Sequence, residues 1–122
     1  MYNKTISYER KIYMVELTKD NFEAEVLQAE GLVFVDFWSE KCEPCMALMQ
    51  EVIAFAEKNA GKAKFCKLDT AGNRRLAIAQ KVMGLPTLVF YRGGEKVFSF
   101  DKEAIEEGGM EAVQAKLEEL LA

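Results

Sequence analysis

The segment Leu32-Val33-Phe34-Val35-Asp36-Phe37-Trp38 is apolar at every position but one. It lacks the alternation that would turn one side to water, so such a strand has to sit inside a sheet that is covered on both faces. A parallel strand with helices packed above and below it meets that demand. Asp36 is the exception, because an unpaired carboxylate is costly to bury unless it takes up a proton or finds partners.

The flanking patterns supply the covering layers. Residues 14–17 read as a short strand, and Thr18 can cap a helix that carries Phe22, Val26 and Leu27 on one face and stops at Gly31. Residues 46–59 place Met49, Ile53 and Ala56 at helical spacing with Val52 beside them, and Gly61 follows as a stop. Residues 63–69 form the next strand; a strand-helix-strand unit of this kind crosses over right-handed. Residues 74–82 read as a shorter helix and 86–91 as a strand. Gly93-Gly94 fits a two-residue hairpin turn, with residues 96–100 returning antiparallel. A terminal helix after Gly108-Gly109 presents Met110, Val113, Leu117, Leu120 and Leu121 as one stripe. The result is an α/β fold, a central mixed β-sheet flanked by helices on both faces.

A chain of 122 residues suits one core. We divide it into an N-terminal extension, residues 1–13, and one domain, residues 14–122. The extension is tyrosine-rich and carries Lys4, Arg10 and Lys11. A net charge of -4 without clustered Lys and Arg argues against a nucleic-acid partner. No apolar run approaches the roughly 20 residues that span a bilayer, and no signal-peptide stretch follows the basic residues near the start, so a cytoplasmic protein is expected. Thiols stay reduced there, so the three cysteines point to catalysis, metal binding or inert burial.

Cys42-Glu43-Pro44-Cys45 follows the buried strand and opens a helix. That places Cys42 beside unpaired backbone N-H groups that favour a thiolate, and lets Cys45 attack a mixed disulfide formed by Cys42. Pro44 suits a first helical turn. The same spacing also serves as half of a zinc or iron-sulfur site, although the chain has no His and only one further Cys. Asp36 is either a satisfied structural carboxylate or, six residues before Cys42, a proton carrier for Cys45, with Lys67 as its counter-charge. In Gly84-Leu85-Pro86-Thr87 the proline either starts a strand in trans or forms a cis bond beside the cysteines. Cys66, next to Lys67, points to the opposite face as a buried small hydrophobe. Met46 can edge the substrate surface.

Val35-Asp36-Phe37-Trp38, the CxxC pair with Pro44, Lys67-Leu68-Asp69 and Gly84-Leu85-Pro86-Thr87, in this order, resemble the motifs of the thioredoxin family. The resemblance covers about residues 14–122. It implies the thioredoxin fold and a protein-disulfide reductase with no bound cofactor, in which Cys42 and Cys45 form a redox-active disulfide that a thioredoxin reductase re-reduces. Asp36 and Lys67 would then handle protons, and Trp38, Pro44, Gly84, Leu85 and a cis Pro86 would dock disulfide-bearing client proteins onto a monomer. The alternatives are an electron-transfer subunit dedicated to one enzyme system and a non-catalytic metal- or protein-binding module. The chain departs from the family at Lys41 and Glu43, which usually hold Trp and Gly and are expected to tune the redox pair. It departs again at Gln50, where a kinking proline is usual, and after the last strand, where Ser99-Phe100-Asp101-Lys102 lacks a usual glycine.

Overall fold

The computed structural model describes residues 14–122. The extension assigned to residues 1–13 lies outside the described residues. Strands Val15–Leu17 (β1), Leu32–Trp38 (β2), Lys64–Asp69 (β3), Thr87–Arg92 (β4) and Glu95–Phe100 (β5) form one sheet in the order β1-β3-β2-β4-β5. β2 is central, and every one of its residues is buried, as the uninterrupted apolar run requires. It pairs parallel with β3 but antiparallel with β4, so the expected parallel neighbour exists on one side only. The register gives the reason: Leu68 and Thr87 both lie level with Phe37. β3 therefore ends where β4 begins, and β4 has to run back.

Helix α1, Glu43–Lys58, and helix α3, Lys102–Leu121, cover one face, and helix α2, Arg74–Ala79, lies on the other. On the α1 side, Phe34 is the centre of an aromatic cluster, with ring centroids 5.1 Å from Phe55, 5.8 Å from Phe65 and 5.3 Å from Phe90. Val52, Ala56, Val113 and Leu117 close around it. On the opposite face Val33, Val35 and Phe37 pack with Phe22, Val26 and Ala77. Adjacent residues of β2 thus feed two separate cores, which is the alternation of a strand used on both sides.

Several boundaries differ from the sequence reading. Thr18 opens a turn, its hydroxyl accepting from the Asp20 N-H at 3.1 Å and its carbonyl from the Phe22 N-H at 3.1 Å, but it is not the expected helix cap: the N-cap position falls on Phe22, without a side-chain cap. The helical segment is short, however: Glu23–Leu27 forms a wide π turn that ends at Gln28, whose N-H reaches the Glu23 carbonyl at 2.8 Å. Gly31 is therefore not its cap; it turns the chain into β2 at φ 82°. α2 stops at Ala79, before Val82, because the Val82 N-H bonds to the Ala77 carbonyl and the Lys81 N-H to the Ile78 carbonyl around Lys81 at φ 62°. That pair of bonds is a Schellman motif with lysine in the left-handed position.

α3 begins at Lys102, not after Gly109, since the Asp101 carboxylate caps it by accepting from the Ala104 N-H at 2.9 Å. The place where the family usually has a glycine is thus a helix cap. Gly109, at φ 63° and ψ -170°, breaks the helix into two runs. In the second, Val113 and Leu117 are buried and Met110 and Leu120 half-buried, whereas Leu121, expected in the stripe, is exposed.

Candidate active site

β2 delivers the chain from the core to the surface at Trp38. The Ser39 carbonyl accepts from the Cys42 N-H at 3.1 Å and the Ser39 hydroxyl from the Lys41 N-H at 3.3 Å, so one small polar residue folds the turn that ends at the first cysteine. Ser39 was not singled out from the sequence; a serine between a buried strand and a helix was the available signal.

Cys42 is the N-cap of α1, in extended conformation, and its Sγ accepts from the Cys45 N-H at 3.2 Å. Pro44 lies in the first turn, where its missing N-H leaves no gap in the ladder. Cys42 and Cys45 are disulfide-bonded, with Cα atoms 5.2 Å apart. The two sulfurs are unequal. Cys42 is half-buried, whereas Cys45 is 1 % exposed and belongs to a small cluster with Trp38 and Met49, against which Cys42, Ile53 and Leu85 pack. The Leu85–Pro86 peptide is cis, Pro86 is buried, and the Gly84 carbonyl accepts from the Thr87 hydroxyl at 2.6 Å. Lys41 and Glu43, on either side of Cys42, are exposed.

Asp36 is 1 % exposed, and its Oδ1 has no hydrogen-bond partner among the described residues. It shares the α1 side of β2 with Trp38, which packs on Cys45. Burial pushes the Asp36 carboxyl up to about 7, against the opposing pull of the Lys67 charge. Such a group exchanges its proton near neutrality. Lys67 pairs with Asp36 across the β2–β3 ladder, as expected, but it is not a contact partner. Ion pairs among the described residues are Lys64–Glu25 and Lys116–Glu119. Lys67 instead holds its Nζ 5.6 Å from the centre of the Trp38 ring and lines a cavity of about 600 Å³ with Glu16, Gln50 and Glu57. The stem of a lysine is long enough to leave a buried neighbour for a wetter site, so its charge acts on Asp36 from a distance.

Cys66 is fully buried on the other face, and burial pushes its thiol up to about 12. It stays a neutral hydrophobe, as read from the sequence. No group of three or more His, Cys, Asp or Glu among the described residues is placed to hold a metal ion. No helix among them is long and apolar enough to cross a membrane.

This geometry has counterparts in known proteins. The Thioredoxin family model matches residues 13–115. The chain belongs to the thioredoxin family. It is 48 % identical over 103 residues to a thioredoxin of Peptoclostridium acidaminophilum, which covers 84 % of this chain and 94 % of that protein. A thioredoxin of Acetoanaerobium sticklandii is also 48 % identical over 103 residues, 84 % of this chain and 98 % of that protein. A solved thioredoxin from Malassezia sympodialis superposes with a TM-score of 0.75 over 89 % of this chain and 91 % of that one, at 22 % identity, and bears on the fold alone. As a thioredoxin, the chain is a thiol-disulfide oxidoreductase that works through a redox-active disulfide and no bound cofactor. Family membership implies a reductase and disulfide-bearing substrates as its partners.

Proposed function

We propose that this thioredoxin is a general protein-disulfide reductase in which Cys42 is the nucleophile, Cys45 the resolving thiol and Asp36 the proton carrier. In the reduced protein the Cys42 thiolate attacks one sulfur of a client disulfide, forming a mixed disulfide and releasing the other client sulfur as a thiolate that takes a proton from water. Asp36 then accepts the proton of Cys45, and the Cys45 thiolate attacks Cys42 Sγ. The Cys42–Cys45 bond forms, the second client sulfur leaves as a thiolate that takes up the proton held by Asp36, and two electrons have passed to the client. Lys67 keeps the carboxyl of Asp36 from rising further, so that it stays useful near neutral pH.

The observation that carries this reading is the inequality of the two sulfurs: one at an accessible helix N-terminus, the other enclosed beside the strand that holds Asp36. Trp38, Pro44, Gly84, Leu85 and Pro86 are the proposed client surface, and Lys41 and Glu43 the tuning residues. The proposed setting is the cytoplasm, and the partner that restores the dithiol is a thioredoxin reductase acting on a monomer.

Turnover of insulin disulfides tests the assignment. Cys42→Ser is expected to abolish it, whereas Cys45→Ser is expected to attack without resolving and to accumulate mixed disulfides with its targets. Trapping by the Cys42 variant, or activity in both, would reverse or remove these roles.

A further inference from the structure

Large apolar side chains that stand clear of a folded surface are informative when they gather in one place. The two most exposed among the described residues, Met83 at 91 % and Ile78 at 59 %, both line a single groove of about 520 Å³. The groove reaches Ser39 at one point and Leu85 at another. The Ser39 carbonyl bonds the Cys42 N-H, and Leu85 packs against the cluster that encloses Cys45, so the groove opens beside the redox pair.

One charged side chain lines it, Arg74, and no carboxylate does. Arg74 is exposed, and its guanidinium makes neither an ion pair nor a hydrogen bond among the described residues, although the chain carries a net charge of -4. A planar cation with free donors, set in an apolar groove, is suited to a carboxylate carried by a chain whose neighbouring side chains are apolar.

Gly84 and Leu85 carry the client surface proposed above into this groove, and we propose that Arg74 is a specificity-determining residue there, favouring client segments in which an apolar side chain accompanies an Asp or Glu. The proposal rests on the disulfide-reductase reading above. Ile78 and Met83 take the apolar side chain and Arg74 takes the carboxylate. An exposed ion pair supports a preference of about two- to fivefold, expressed in KM and weakened by salt.

The test uses the full chain and a set of synthetic peptide disulfides that share one Leu-containing sequence and carry Glu or its isostere Gln at successive positions on either side of the cysteine. The expected result is a kcat/KM about two- to fivefold higher for Glu over Gln at one or more positions on one side, shrinking toward unity in about 0.5 M salt. Arg74→Gln is expected to erase the preference and Arg74→Glu to invert it. Equal kcat/KM for Glu and Gln throughout the scan, or a preference unchanged by either substitution, overturns the proposal. The salt series needs no variant and stands if one fails to fold. A small disulfide without a flanking chain, dithiobis(nitrobenzoate), separates the two readings. If the wild-type protein does not reduce it, the reductase reading fails and the groove proposal with it. If it is reduced while the peptides show no Glu preference, the groove proposal alone fails.

Discussion

At the scale of single residues, the proposed roles fall on one buried carboxylate and two exposed charges. The Asp36 carboxyl lies at about 7 in the folded protein, above its ordinary 3.8, so between these values the folded state keeps a proton that the unfolded state has lost. Stability that is fully present below about pH 4 therefore declines as pH rises and is lost through about pH 7. Asp36→Asn removes that decline. Urea unfolding of the oxidised protein is expected to show the variant gaining on the wild type by about 4 kcal/mol between pH 4 and pH 8, an upper figure that follows from about 1.36 kcal/mol for each pH unit between the two values. The same variant is expected to resolve mixed disulfides more slowly near pH 7; rates unchanged from pH 6 to pH 8 would return Asp36 to a structural role. Glu43 and Lys41, both exposed, are the proposed tuning residues. A carboxylate at about 6 Å in water raises the energy of a Cys42 thiolate by about 0.7 kcal/mol, and Lys41 opposes it. Glu43→Gln is expected to make the reduction potential less negative by up to about 15 mV, and Lys41→Gln to shift it the other way. Equilibration with glutathione reads both, and a more negative potential for Glu43→Gln contradicts the sign.

At the scale of elements, the β4–β5 hairpin turns on two glycines that are not equivalent. Gly93 and Gly94 have φ of 63° and 82°, the positive angles that the tight hairpin demands. A Cβ on Gly93 would meet nothing within 4 Å, whereas one on Gly94 would lie 2.8 Å from the Leu27 carbonyl oxygen. Gly93→Ala incurs only the backbone strain, about 1 kcal/mol. Gly94→Ala adds a clash with rigid backbone and is expected to cost about 2–3 kcal/mol, so its melting temperature is expected to fall at least twice as far. Equal losses would show that the π turn and the hairpin yield to one another. The hairpin was legible from Gly93-Gly94 because turn chemistry is local. Contact with Leu27 was not, since the two segments are distant in sequence.

At the scale of the whole molecule, one sheet separates two cores, and α1 carries the redox pair at the end of the helix that covers the Phe34 cluster. The elements of that arrangement lie within residues 14–122, and the Thioredoxin family model begins at residue 13. A protein that starts at Met14 is therefore expected to match the full chain in insulin turnover and to melt within about 2 °C of it, a shift worth less than about 1 kcal/mol. A larger loss of either property would give residues 1–13 a part in the fold.

The sequence by itself determined the features whose physics is local or periodic. The apolar run around Asp36 required a central, doubly covered strand; the CxxC spacing after it required a cysteine at a helix N-terminus; Gly93-Gly94 required a hairpin. That burial would raise the Asp36 carboxyl also followed, because burial alone dictates the direction, whereas the choice between a structural carboxylate and a proton carrier did not. Tertiary structure decided what depends on distance between remote segments. It set β4 antiparallel to β2 and placed the Lys67 ammonium over the Trp38 ring. It also gathered Arg74, Ile78 and Met83, which look like unrelated surface residues along the chain, into one groove beside Cys42. Periodicity reports which face a side chain takes, but which residues meet across that face is settled only when the layers close.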